Sequence, residues 1–102
     1  MPLKDTLLTG KQKRFLRAMG SGLDPVVQVG KGGVNAAVIQ STREVLAVRE
    51  LIKVRVLQNS PDEPNAVIAG LAEAAGAELV QVIGRNGLLY KKNIDKPKIE
   101  LP

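Results

Sequence analysis

The chain has no cysteine, no histidine and no tryptophan, and only one phenylalanine and one tyrosine among its 102 residues. Without cysteine there is no disulfide framework and no thiolate metal site. Without histidine the commonest general base is missing, and only carboxylates remain as metal ligands. Hydrolytic and metal chemistry are poorly provided for, so the expectation is a binding protein and not an enzyme, with no catalytic residue, metal or cofactor to assign. The scarcity of aromatics bears on binding too. Proteins that hold single strands by stacking bases need several surface rings, whereas here Phe15 is expected in the core and Tyr90 at a core edge. Long apolar runs are also absent. No membrane span or signal-peptide core is legible, so a cytoplasmic location is expected.

What the chain does contain is the balance of a globular protein, 44% apolar and 25% charged. Its length fits one domain spanning 1–102, with a core over about 8–92 and an extended tail over 93–102. The net charge of +5 is unevenly spread. Residues 1–20 carry +4, 21–60 carry +2, 61–84 carry −4 with no basic residue at all, and 85–102 carry +3. A basic and an acidic side are expected, which suits a polyanion held in one orientation.

Thr9 and Gln12 have the spacing of a capping box, with Leu8 at the position of a hydrophobic staple, so a helix is predicted over 10–20. Its docking face should hold Phe15, Leu16 and Met19, with Lys13, Arg14 and Arg17 opposite. Gly20, Ser21, Gly22 and Pro25 end it. Val26, Val27 and Val29 read as a strand running into the glycines at 30, 32 and 33. Asn35 can cap a second helix, which presents Val38, Ile39, Thr42, Val45 and Leu46 to the core and ends near Val48. Over 51–57, Ile52, Val54 and Val56 alternate with Lys53 and Arg55, a strand with cations on one face. Beyond a proline-containing loop over 58–65, Val67, Ile68, Leu71, Ala72 and Ala75 form a helical stripe that Gly76 terminates. Strands over 79–83 and 88–91 flank Gly84-Arg85-Asn86-Gly87, whose Asn-Gly is a strong hairpin signal. The order α-β-α-β-α-β-β predicts an α/β two-layer sandwich with a mixed four-stranded sheet. The helices should lie mainly on one face, leaving the other partly open to carry Lys53 and Arg55.

Gly30, Lys31, Gly32 and Gly33 stand between a strand and a helix start. Glycines let backbone N–H groups approach an anion, the helix start adds partial positive charge, and Lys31 adds a full one. The same glycines would also serve a plain tight turn. A nucleotide-hydrolysing loop is excluded, since Gly32 and not a hydroxyl residue follows Lys31. A dinucleotide fingerprint would need glycine where Asn35 stands. What remains is a phosphate cradle of the kind that positions a nucleic acid without reading its sequence. The candidate RNA-binding residues are therefore Gly30, Lys31, Gly32 and Gly33, the helix cations Lys13, Arg14 and Arg17, and the strand cations Lys53 and Arg55. The alternatives left open are a small DNA-coating protein and, on less support, an enzyme acting on a phosphoryl ligand.

Leu8-Thr9-Gly10-Lys11-Gln12-Lys13, Pro25-Val26-Val27 leading to Val29-Gly30-Lys31-Gly32-Gly33, Glu50-Leu51-Ile52-Lys53-Val54, and Val80-Gln81-Val82-Ile83-Gly84 followed by Leu88-Leu89-Tyr90 occur in this order. Together with the closing Lys98-Ile99-Glu100-Leu101-Pro102, this set resembles the CRM domain family in its stand-alone bacterial YhbY form. The resemblance implies a fold similar to the C-terminal domain of a bacterial translation initiation factor. It implies that Gly30, Lys31, Gly32 and Gly33 act as a GxxG loop similar in role to that of KH domains, with Lys53 as the strand cation. It implies binding to ribosomal RNA within large-subunit precursors, as a ribosome assembly factor. No membrane partner is expected, and a monomer is the expected state.

Overall fold

The structure, a computed structural model, describes residues 8–102. Helix α1 (Gly10–Gly20), strand β1 (Pro25–Val29), helix α2 (Ala36–Arg49), strand β2 (Leu51–Val56), helix α3 (Pro64–Ala75), strand β3 (Glu78–Ile83) and strand β4 (Asn86–Tyr90) follow one another in the order that the periodicity predicts. They build one mixed sheet, ordered β1-β2-β4-β3. β1 runs parallel to β2, and β4 is antiparallel to both β2 and β3. Local chemistry fixes the element ends. Thr9 and Gln12 complete the capping box, each side chain accepting from the other residue's backbone N–H at 3.1 Å. Asn35 caps α2 by accepting from Val38 N–H at 2.9 Å. Pro64, expected in the loop over 58–65, takes the first position of α3, where its missing N–H is no loss.

α2 and α3 cover one face of the sheet, where Leu46, Ile68, Leu71 and Ala75 close over Val29, Ile52, Val54, Val56 and Leu89. The second face is less open than expected. Leu16 of α1 seals a smaller core of Leu8, Leu51, Val80, Leu88 and Tyr90, with Leu23, Ile99 and Leu101 packed at its edge. α1 and the C-terminal tail thus form a partial third layer over the half of this face that bears Leu51 and Tyr90. The tail bends at 94–96, where the Asp95 and Lys96 N–H groups donate to Asn93 Oδ1, before Ile99 and Leu101 reach this core.

Two local expectations are corrected. α1 does not dock through Phe15 and Met19, which stay 39% and 42% exposed. Its buried stripe is Leu16 and Gly20, flanked by Gln12, because α1 sits down on Leu88 through Gly20, where any Cβ would collide with the leucine. The hairpin turn is also displaced: Gly84 and Arg85 make it, with Gly84 at φ 58°, while Asn86 and Gly87 belong to β4. Gly87 is needed inside the sheet, since Ile68 lies directly over it and leaves no room for a side chain.

Glu50 ties these parts together. Its side chain is fully buried and its backbone adopts φ 66°, strained for a non-glycine residue. Its N–H bonds back to Leu46 O and its own carbonyl accepts from Lys91 N–H, both at 2.9 Å. The carboxylate accepts three N–H groups of the tail, from Asn93 at 2.7 Å, Lys98 at 2.8 Å and Ile99 at 2.7 Å. Burial alone would raise its pKa, but these three donors, helped by the Lys98 charge, hold it below the ordinary carboxylate value. The stabilisation is therefore complete above the usual carboxylate range and is lost as pH falls through the lowered folded value. We expect Glu50→Gln to lower stability by about 2 kcal/mol or more at neutral pH. In urea titrations across acid pH, the variant should also lack part of the parent's acid sensitivity.

Candidate nucleic-acid interface

The loop 30–33 leaves the end of β1 and closes on itself, with Gly33 N–H donating to Gly30 O at 3.0 Å. Gly33 is at φ 66°, a conformation in which side chains are strained. A Cβ on Gly32 would come within 2.9 Å of the Asn35 amide that caps α2. The glycines therefore satisfy a tight turn, and the turn leaves Lys31 and Gly32 exposed just before the start of α2. That helix start is electrically open: its cap is the neutral Asn35, no acid stands in its first turn, and the Ala36 and Ala37 N–H groups precede the first capped donor. The neighbouring α3 differs in having Glu63 at its cap position.

The loop is braced from the β3–β4 turn. Arg85 donates from Nη1 to Leu57 O at 3.1 Å, and its carbonyl accepts from Val56 N–H at 2.8 Å. Leu57 N–H in turn donates to Val29 O at 2.8 Å, while the Leu57 and Asn59 side chains stand against Gly30. Nothing in the sequence marked Arg85 for this, because its partners lie 28 and 29 residues away.

Next to the loop is the half of the second sheet face that α1 leaves uncovered. The pairing puts Gln28, Arg55, Asn86 and Ile83 in a single row across all four strands, and all four are exposed. One step further down the strands Lys53 pairs with Leu88. Arg17, on the flank of α1, joins Lys53 in lining a groove of about 270 Å³ between the end of the helix and the sheet. Arg17, Lys53 and Arg55 are thus on one surface. Lys53 lies three residues before Val56, the partner of Val29, so the loop begins roughly 10 Å further along the sheet. Lys13, half-buried, is one turn behind Arg17 on the same flank of α1. Arg14 points from the outer pole of the helix, away from the sheet, and is the candidate least connected to the others. None of these cations forms an ion pair among the described residues. Glu73 is on α3, which packs on the opposite face together with α2, but Arg43 and Arg49 of α2 lie there too, so the two faces do not divide into a basic and an acidic side as expected. Among the described residues no group of three or more acidic side chains gathers at metal-binding spacing. Tyr90 is buried in the smaller core, as its exclusion from the site anticipated.

Fold and surface together define a small mixed α/β domain whose one open half-face is cationic and continuous with an unneutralised helix start. The chain belongs to the CRS1/YhbY (CRM) domain family, whose profile matches residues 8–91. It is 50% identical to the Probable RNA-binding protein YqeI of Bacillus subtilis, across 94% of this chain and all of that protein. It is 34% identical to an RNA-binding protein of Haemophilus influenzae, covering 95% of this chain and 97% of the relative. The solution structure of SAV1595 from Staphylococcus aureus is similar at a TM-score of 0.79 and 47% identity, over 94% of this chain and all of that one. The family expected from the motifs is the one found.

Two glycine substitutions separate the roles within the loop. Gly33→Ala forces a side chain into positive φ and should lower stability by about 1 kcal/mol. Gly32→Ala should lower it by a comparable amount, about 1 kcal/mol, by displacing the Asn35 cap. Urea unfolding, with amide exchange at Val38 reporting the cap, checks both.

Proposed function

We propose that this protein is an RNA-binding, non-catalytic ribosome assembly factor, acting in the cytoplasm on ribosomal RNA in precursors of the large subunit. The observation that carries the reading is the adjacency of the unpaired cations Arg17, Lys53 and Arg55 to the glycine-rich start of α2. Loop N–H groups and Lys31 grip one phosphate, and the sheet cations follow the backbone on either side of it. Contacts of this kind give affinity that falls steeply with salt and depends little on sequence. The names of the YqeI and Haemophilus relatives support RNA as the polyanion.

The test is filter binding of large-subunit precursor RNA at several salt concentrations, with duplex DNA as competitor. Lys31→Glu should weaken binding about tenfold or more and reduce the salt slope by roughly one to two counterions. Structured RNA should compete better than duplex DNA of equal charge. A Lys31→Glu protein that binds like the parent refutes the assignment of the loop.

A further inference from the structure

Phosphates require cations and N–H donors, but the groove beside α1 offers other chemistry as well. Its floor is apolar, made by buried Leu88 and the close-packed backbone of Gly20 and Gly87. One wall is Ile83, left 65% exposed in the middle of a polar surface. The side-chain amides of Gln81 and Asn86 also line it, from two adjacent strands, and neither makes a hydrogen bond among the described residues. An amide presents a donor and an acceptor together, which a phosphate does not use and the edge of a nucleobase does.

The presence of Gln81 in the groove comes from a break in the sheet. Simple alternation would send Val80 and Gln81 to opposite faces, but the β3–β4 register shifts between Leu79 and Gln81. The bulge lets Val80 remain in the core beneath α1 while Gln81 also faces the α1 side and lines the groove. Bulges are over-represented on edge strands, as β3 is, and beside functional sites, where they re-aim a side chain.

From these features we infer that the groove receives one unpaired nucleotide of the bound RNA. Its base packs against Ile83 and Leu88 with its edge on Gln81 and Asn86, and its flanking phosphates meet Arg17 and Lys53. The guanidinium plane of Arg17 supplies the stacking surface that the missing aromatic rings would otherwise provide. The inference rests on the RNA-binding reading above and adds to it a base-reading site distinct from the phosphate-binding loop.

The experiment compares two RNA hairpins of equal length and charge, one with a fully paired stem and one with a single extruded nucleotide. The parent protein should bind the extruded form about tenfold more tightly. Gln81→Leu and Asn86→Leu should each remove most of that preference while leaving affinity for the paired stem and the salt slope unchanged. Lys31→Glu should weaken both hairpins together. With the parent protein, thiouridine at the extruded position should crosslink to the segment 81–88, a readout that stands even where a variant folds poorly. Equal binding of both hairpins by the parent, variants that keep the preference, or crosslinks elsewhere would overturn the groove assignment while RNA binding stands. If the parent binds neither hairpin in a salt-dependent way, the RNA-binding reading falls and this inference with it.

Discussion

At the junction of α2 and β2 the Glu50 carboxylate is fully buried. A charge in this position is tolerable only because three backbone donors surround it, and all three come from the C-terminal tail. The tail must therefore follow one path, and that path brings Ile99 and Leu101 to the edge of the smaller core under α1. The same residue turns the chain from α2 into β2 through a positive φ and accepts from Lys91 just past β4. Helix end, central strands and tail are fixed relative to one another by a single side chain and its backbone. An amide could not do the same, since its NH2 would face a donor.

This anchoring decides which half of the second sheet face is closed. The tail and α1 occupy the half bearing Leu51 and Tyr90, and Gly20 lets the end of α1 settle on Leu88. The other half remains open beside the loop that starts α2. Cations that would otherwise be ordinary solvated side chains are thereby gathered along one surface, while Glu63 sits at the start of α3 and not at the start of α2. Binding groups and scaffold are well separated: the core residues that set the sheet are apolar, and the Gln81 and Asn86 side chains in the groove make no hydrogen bond among the described residues.

Much of this was legible in the residues. The capping box, the Asn35 cap, the alternation of β2 and the glycine-rich loop all depend on neighbours within a few positions, and each lies where the sequence places it. Helical spacing places Phe15 and Met19 beside Leu16, and only the approach of Gly20 to Leu88 turns the helix so that both stay exposed. Asn86-Gly87 has the form of a hairpin turn, yet the pair lies in β4 because Ile68, distant in sequence, needs a glycine beneath it. Strand alternation gives no sign of Gln81 in the groove, since an unbulged strand would send it to the other face.

The order of the elements, the uneven spread of charge along the chain, the lack of histidine and cysteine and the family motifs are all set by the residues alone. These follow from composition and from interactions over short separations, where the chain has few alternatives. That Arg17, Lys53 and Arg55 share a surface, that Arg14 points away from it, and that Gln81 and Asn86 meet in one groove follows from the folded arrangement. Those outcomes depend on strand register, a bulge and the seating of α1, all set by packing between residues far apart in the chain. No local pattern encodes them.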